Sequence, residues 1–466
     1  MKIIVIGAGK VGAGLAEYLI NENNEITLID MDINKLRELQ NRYDIKIVKG
    51  HGSYPETLRN ADAANTELLV AVTDSDETNM LACQLSYSLF RIPQKIARIR
   101  NHEYLSERKI LFCNQAIPID NIIAPEQLIT DEIANLISYP GVLQIAEFAS
   151  GRVAIASAKA YYGGPIVGYQ LDTMRNHLDS INASIVAIYR QNRLIQLKSD
   201  TVIEAGDEVV FISAIGHIRS VMSEFQRLEV PYRRIMIIGG GSIGMELARK
   251  LGELYQIKLI EMDEERAEFL ASEFDKSSVE VFCSNPSNPD FLTEEHVDEM
   301  DLVIAVTEKD ETNIMSTLLA KKLGAQKSIV LISNFAYVNL LQTDAIDIVL
   351  SPHEATISAL LTNIRHNGVD NVHTLRRGTA EGLEITINGT TKNNAVLGKP
   401  LAKIKFPVGI SLCAIYRNEE VIMASPDLEL ASGDLAIFFV TEKKNIRELI
   451  KMTAPRPSFF AKTSEA

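Results

Sequence analysis

Ten residues near the start of the chain come back near its middle. Ile3-Ile4-Val5-Ile6-Gly7-Ala8-Gly9-Lys10-Val11-Gly12 returns as Ile235-Met236-Ile237-Ile238-Gly239-Gly240-Gly241-Ser242-Ile243-Gly244. Leu28-Ile29-Asp30-Met31-Asp32 returns as Leu259-Ile260-Glu261-Met262-Asp263, and Asp76-Glu77-Thr78-Asn79 as Asp310-Glu311-Thr312-Asn313. Ala187-Ile188-Tyr189-Arg190 is repeated unchanged as Ala414-Ile415-Tyr416-Arg417, and Gly206-Asp207 as Gly433-Asp434. The offset stays between 227 (Ala187 to Ala414) and 234 (Val70 to Ile304) in a chain of 466 residues. A period this long is not a solenoid repeat. It reads as tandem duplication of a two-domain unit.

Each unit carries two textures. The first part alternates short β-rich apolar runs (3–6, 26–29, 45–48, 68–72 and 96–99) with helical patterns such as Val11, Leu15 and Leu19 on one face. Strand and helix in alternation predict a parallel sheet with helices on both faces, and the wholly apolar runs fit strands buried on both sides. The later part has short strand candidates, 185–189 and 208–213, between turn signals such as Gly163-Gly164-Pro165 and Glu204-Ala205-Gly206-Asp207. The expected fold class is therefore α/β: two tandem units, each a Rossmann-like doubly wound parallel sheet followed by a small α+β C-terminal lobe. The expected boundaries are 1–124 and 232–350 for the Rossmann domains and 142–227 and 369–453 for the small lobes. Residues 126–138 and 354–365 read as connecting helices, and 454–466 as a mobile tail.

The chemistry rests on the glycine turns. Gly-x-Gly-x-x-Gly after an apolar strand and at the start of a helix is a dinucleotide fingerprint. Gly7 permits the tight turn, Gly9 leaves room for a pyrophosphate, and Gly12 lets helix and strand pack closely. Asp30, 18 residues past Gly12, ends the next strand, where a carboxylate accepts from ribose hydroxyls. The acid disfavours a 2′-phosphate and so favours NAD over NADP, yet it equally suits the ribose of ATP, ADP or AMP. Thr73-Asp74 and Thr307-Glu308 end the fourth strands and border the same crevice. The acids after them suit a helix N-terminus, and capping alone explains Asp76-Glu77-Thr78-Asn79. Arg98, in the fifth strand, needs a partner: a phosphate, or an acid such as Asp76 or Glu77. Its counterpart is Leu331, and the loop Gly50-His51-Gly52-Ser53 becomes Ser284-Asn285-Pro286-Ser287. The second site thus keeps its glycines and acid but loses a cation.

Other chemistry is not indicated. Net charge is −14, which argues against nucleic acid as a partner. No run reaches the roughly 18 apolar residues of a membrane span, and Met1-Lys2 opens no signal peptide. Cys83, Cys113, Cys283 and Cys413 lie far apart without a Cys-x-x-Cys, so neither structural zinc nor a disulfide framework is expected, and a reducing cytoplasm is. Glu294-Glu295-His296 with Asp298 reads as a solvated helix face, and no metal site is expected. His51 has no identifiable nucleophile or partner to serve as a base and reads as part of a near-ligand loop. His177 and His217, the histidines of the first small lobe, have no match in the second. Duplicated nucleotide sites without a duplicated catalyst point to sensing; an NAD-dependent oxidoreductase and an NAD-sensing regulator unrelated to transport are the alternatives.

Over 1–453 the chain resembles the TrkA family, the cytoplasmic NAD-binding regulatory subunits of bacterial Trk potassium-uptake systems, built from tandem RCK (KTN) domains. The resemblance is carried by Val11-Gly12, His51-Gly52-Ser53, Ser75-Asp76-Glu77-Thr78-Asn79, Pro125-Glu126-Gln127-Leu128, Lys159-Ala160-Tyr161-Tyr162-Gly163-Gly164-Pro165, Glu204-Ala205-Gly206-Asp207-Glu208-Val209 and Ile235-Met236-Ile237-Ile238-Gly239-Gly240-Gly241. It implies a homo-oligomeric ring, a tetramer for example, on the inner face of the membrane beneath a TrkH-type potassium channel subunit. NAD(H), or ATP and ADP, would alter the ring and so the pore, with no enzyme activity and no insertion into the membrane. It assigns Gly7, Ala8, Gly9, Lys10, Val11, Gly12, Asp30, Thr73, Asp74 and Arg98 to the first site. Gly239, Gly240, Gly241, Ser242, Ile243, Gly244 and Glu261 form the second, whose ligand stays open.

Overall fold

A computed structural model describes residues 1–20, 24–173, 181–225, 231–275, 277–334, 337, 346–364, 369–376 and 378–455. Six parallel strands make the first sheet: β1 (Lys2–Ile6), β2 (Glu25–Asp30), β3 (Lys46–Lys49), β4 (Leu68–Ala71), β5 (Gln94–Arg98) and β6 (Asn121–Ile123), in the order β3-β2-β1-β4-β5-β6. Ile3 to Ile6 and Leu68 to Ala71 are buried, as strands covered on both faces must be. Helix α1 (Lys10–Ile20) follows β1 and lays Val11, Leu15 and Leu19 on the sheet. Helix α2 (Asp76–Phe90) follows β4. β6 has only three residues, too few to show an alternation, which is why five runs and not six were legible.

A small lobe follows: β7 (Val142–Phe148), β8 (Val153–Lys159), β9 (Ala183–Arg190), β10 (Arg193–Ile195) and β11 (Glu208–Ala214), in the order β10-β9-β11-β8-β7. Helix α3 (Pro125–Ser138) precedes it. The second copy repeats the plan. Its parallel sheet is β12 (Arg234–Ile238), β13 (Gln256–Glu261), β14 (Val279–Cys283), β15 (Leu302–Ala305), β16 (Lys327–Leu331) and β17 (Ile348–Leu350), ordered β14-β13-β12-β15-β16-β17. Helices α4 (Ser242–Leu251), α5 (Glu264–Glu273) and α6 (Asp310–Lys322) follow β12, β13 and β15, and α7 (Pro352–Ile364) leaves the sheet. The second small lobe is β18 (Asn371–Leu375), β19 (Ala380–Thr386), β20 (Ile410–Arg417), β21 (Glu420–Met423) and β22 (Leu435–Val440), ordered β18-β19-β22-β20-β21. The C-terminal tail from 456 on lies outside the described residues.

In space the tandem order is regrouped. One unit contains Met1–Ile123, Ala146–Arg227 and Thr356–Ala466; the other contains Ala124–Ile145 and Leu228–Ala355. The connecting helices account for this. Within the second unit, α3 lies against α4, with Lys250 Nζ 2.5 Å from Asp131 Oδ1. Within the first, Ile357 of α7 closes on Gly14 of α1, and Gln94 donates to the Asn363 carbonyl at 3.0 Å. Each helix reaches the copy it did not come from.

Also within the first unit, the two small sheets share one core. Phe148, Ile155, Val210 and Ile212 pack with Ala380, Ala414, Ile437 and Phe439. Arg376 seals its edge: the guanidinium lies 3.6 Å above the Tyr189 ring and 2.9 Å from Glu208 Oε2. The exact repeats of the small lobes are structural. Arg190 makes a two-pronged bond to Asp207 (2.8 and 2.9 Å), and Arg417 repeats it on Asp434 (2.7 and 2.7 Å). Each aspartate also accepts from a turn amide, Glu204 N or Ala431 N, so the fully buried carboxylates are satisfied.

Candidate nucleotide sites

Strand order reverses between β1 and β4, and between β12 and β15. Ligands of open α/β sheets bind at such a reversal, outside the carboxyl ends of the strands. At the first, Gly7 has φ +106° and donates to the Ile29 carbonyl at 2.8 Å, turning the chain sharply off β1. A Cβ on Gly12 would stand 1.8 Å from the Gly7 carbonyl oxygen, so helix and turn touch there. Gly9 differs. Its φ lies outside the left-handed region and a Cβ there would meet nothing within 4 Å. The fold does not require glycine at 9. The second copy reproduces all three: Gly239 at φ +108°, a Cβ on Gly244 that would stand 1.8 Å from the Gly239 oxygen, and open space at Gly241.

Asp30 grips the glycine turn. Its Oδ2 accepts from Ala8 N at 2.7 Å and its Oδ1 from Asp32 N at 2.8 Å. Two carboxylate oxygens offer about four lone-pair positions, so capacity remains for ribose hydroxyls. Glu261, one methylene longer, does the same: Oε2 accepts from Gly240 N at 2.8 Å, Oε1 from Met262 N and Asp263 N at 2.7 and 3.0 Å. The second turn has no room for a side chain at 240, chiefly because of Leu270. A Cβ at 240 would be 3.0 Å from Glu261 Oε2 and 2.3 Å from Leu270, and glycine stands where the first copy has Ala8.

The far wall is built from Thr73 and Arg98. Thr73 N abuts Gly7, 3.1 Å from where its Cβ would be. Arg98 Nη2 donates to the Thr73 carbonyl at 2.6 Å, which holds the guanidinium across the ends of β4 and β5. Asp76 Oδ2 accepts from Arg100 N and Asn101 N at 2.9 and 2.8 Å, and Glu77 accepts from the Ser75 and Tyr104 hydroxyls. Lys10 and Asp74 are exposed at the rim, Val11 is buried beneath it. Gly7, Ala8, Gly9, Asp30, Thr73 and Arg98 therefore meet around one crevice. In the second copy Leu331 is buried and Thr307 abuts Gly239.

Sequence reasoning passed over Asn79 as a capping residue. The cap is Ser75, whose Oγ accepts from Thr78 N at 3.1 Å. Asn79 is fully buried and fastens the wall: Oδ1 accepts from Thr73 N and Thr73 Oγ1 at 3.0 and 2.7 Å, and Nδ2 donates to the carbonyls of Thr73 and Arg98 at 3.1 and 2.9 Å. Asn313 makes the same four bonds to Thr307 and Leu331. The signal was present, since the asparagine repeats while the residue at 98 and 331 does not.

The loop that carries His51 joins the end of β2, Gly50 N donating to the Asp30 carbonyl at 3.0 Å. His51 Nδ1 lies 2.7 Å from Ser53 Oγ, and its ring stacks on Tyr54. Glu295 pairs with Lys258 at 2.7 Å, and among the described residues no group of three His, Cys, Asp or Glu could hold a metal ion. His217 is exposed in a short turn and His177 lies outside the described residues. All four cysteines are free, and burial pushes the Cys83 and Cys413 thiols up to about 12, which leaves them unreactive. Among the described residues no helix is long and apolar enough to cross a membrane.

The duplicated crevices have counterparts in known proteins. The TrkA-N domain model matches residues 3–125 and 235–352, and the TrkA-C domain model matches 155–226 and 390–454. The chain belongs to the TrkA family. It is 48% identical to the Trk system potassium uptake protein TrkA of Vibrio alginolyticus over 98% of this chain and 100% of that one. The Haemophilus influenzae protein of that name is 46% identical, over 98% and 100%. Among solved structures the fold is shared by the GsuK RCK domain, at 17% identity and TM-score 0.59, covering 97% of this chain and 95% of that one. The GsuK channel bound to NAD gives the same score and identity over 97% and 78%.

Proposed function

We propose that this chain is the nucleotide-sensing regulatory subunit of a potassium-uptake system, binding NAD(H) or adenine nucleotides in both Rossmann crevices. The observation that carries the reading is the open space before Gly9 and again before Gly241, where the fold itself has no use for glycine. A pyrophosphate against those backbone N–H groups, at the start of α1 or α4, uses the space. Gly7, Ala8, Gly9, Lys10, Val11 and Gly12 form the phosphate turn, Asp30 takes the ribose, and Thr73, Asp74 and Arg98 line the far side. Gly239, Gly240, Gly241, Ser242, Ile243, Gly244 and Glu261 do the same in the second. Relatives matching over the full chain carry the name of the Trk potassium-uptake system, and a protein of the same fold, the GsuK channel, has NAD bound. The role is regulatory and not catalytic.

The output is a change of shape. Helix α1 begins at the first glycine turn, and its last turn carries Tyr18, whose ring receives Lys443 Nζ at 3.9 Å from the second small lobe. A ligand at the N-terminus of α1 therefore acts on a helix tied to the paired lobes. Shifting a population from 1:99 to 99:1 needs about 5.5 kcal/mol of differential affinity, while single couplings are about 1–3 kcal/mol. Several linked sites supply that, which gives duplication and assembly into a homo-oligomeric ring, such as a tetramer, a physical reason. The ring sits in the cytoplasm against the inner face of the membrane, on a TrkH-type channel subunit. Light scattering gives the mass and small-angle scattering the shape with NAD, NADH, ADP and ATP. An oligomer with at least two ligand-dependent profiles is expected; a monomer, or one profile with every nucleotide, would sink the switch.

A further inference from the structure

The second crevice lacks a cation at Leu331, yet it has one elsewhere. Arg266, in the first turn of α5, donates from Nε to the Gly240 carbonyl at 2.9 Å. Its guanidinium lies 5.0 Å over the Phe269 ring, with Nη2 3.6 Å from Met245 Sδ. Its own amide is held by the Asp263 cap at 2.9 Å. The same residue, Gly240, gives its amide to Glu261. Cation and ribose acid thus grip the two ends of one glycine, and the guanidinium stands at the shoulder of the ribose position. In the first copy the corresponding residue is Lys35, which is exposed, and the residue matching Phe269 is Glu38. There the ribose edge is governed by Asp30.

A lone acid excludes a 2′-phosphate, whereas an arginine near the ribose accommodates one. Arginine presents five donors in a planar fork matched to phosphate, and two of the three nitrogens here are engaged in holding it still. We propose that Arg266 makes the second site tolerant of adenine dinucleotides carrying a 2′-phosphate, while the first site rejects them. The inference rests on the reading of both crevices as nucleotide sites. It gives the two halves different ligands: the first NAD(H) or adenine nucleotides, the second also the 2′-phosphorylated dinucleotide.

The test uses the full chain in two forms, Gly9→Val to silence the first site and Gly241→Val to silence the second. Calorimetry with NAD and NADP reads each remaining site. The Gly9→Val chain should bind NADP within about tenfold of NAD, and the Gly241→Val chain should prefer NAD by about a hundredfold, the range that one or two charged hydrogen bonds span. Adding Arg266→Ala or Arg266→Lys to Gly9→Val should weaken NADP about tenfold and NAD less than threefold. Equal NADP discrimination at both sites would overturn the proposal. So would a parallel loss of NAD and NADP in Arg266→Ala, which would make the arginine only a brace for the turn. If the Gly9→Val chain keeps its circular dichroism but binds neither ligand, the second crevice is not a nucleotide site and the proposal falls with that reading.

Discussion

Substituting two glycines of one motif separates what the fold needs from what a ligand needs. Gly9→Val places its side chain in open space, since a Cβ there meets nothing within 4 Å. Gly9 also caps α1, its carbonyl accepting from Ala13 N at 2.9 Å, so valine costs the helix no more than about 1 kcal/mol. Gly12→Ala puts a methyl 1.8 Å from a backbone oxygen that cannot swing away. Overpacking of this kind costs about 1–3 kcal/mol or more. A nucleotide at a hundred times its Kd stabilises the folded state by about 2.7 kcal/mol. With the second site silenced by Gly241→Val, thermal unfolding with and without NAD reads all three effects. The parent should gain on the order of 10 °C with NAD, at the several degrees per kcal/mol typical of a lobe this size. Gly9→Val should keep nearly the parental Tm without ligand and gain nothing with it. Gly12→Ala should start on the order of 10 °C lower. A Gly9→Val chain that still gains the full NAD shift would refute the placement of the pyrophosphate, and one as unstable as Gly12→Ala would make Gly9 structural.

Asp30→Ala should weaken NAD at the first site and narrow its advantage over NADP, both read by calorimetry in the Gly241→Val background; an unchanged ratio would take selectivity away from Asp30. Asp207→Ala removes the two-pronged partner of Arg190, which keeps Glu204 and the Val202 carbonyl, so the loss is that of charged hydrogen bonds, about 1–3 kcal/mol, and urea unfolding of the small lobes should move to a lower midpoint while nucleotide affinity at the second site is kept. His373 lies between the small lobes, edge-on to Phe148 and 3.0 Å from the Glu147 carbonyl, and burial lowers its pKa to about 4. Below the unfolded value near 6.5 the unfolded chain takes up a proton that the folded lobes refuse, so the contribution of His373 to stability should fall as pH drops from 6.5 to 4, by up to about 3 kcal/mol; burial of Glu132, which pushes its carboxyl up to about 7, works in the opposite sense over that range, so the test is the difference between the parent and His373→Gln in denaturant titrations at stepped pH, which should change from 6.5 to 4 and be constant above.

The Rossmann sheets were legible because they are local. Ile3 to Ile6 and Leu68 to Val72 are short apolar runs that only a doubly covered strand explains, and Val11, Leu15 and Leu19 mark the face of α1. The glycine motif and the acid at 30 and 261 fixed the turn, the crevice and their duplication. What was not legible is non-local. No pattern within 125–138 states that this helix packs on Ser242–Leu251, more than about 100 residues further along the chain. The shared core of the small lobes, from Phe148 to Phe439, pairs residues from the two halves of the chain. Asn79 was misjudged because Asp-Glu-Thr-Asn at a helix start satisfies capping rules by itself, and only the strand ends reveal its four bonds. Arg266 was invisible for a similar reason: lysine and arginine at 35 and 266 look alike in sequence, and only the bond to Gly240 distinguishes them.

Control of potassium uptake by nucleotide at the glycine turns is the function proposed for this chain. It is tested most directly by potassium flux through a TrkH-type channel subunit in vesicles, with the purified chain and one nucleotide on the cytoplasmic side. Flux should differ severalfold between two nucleotide states, NAD against NADH or ADP against ATP, and the difference should vanish when Gly9→Val and Gly241→Val are combined. Flux that is the same with every nucleotide, or a nucleotide effect that survives the double substitution, would contradict the account.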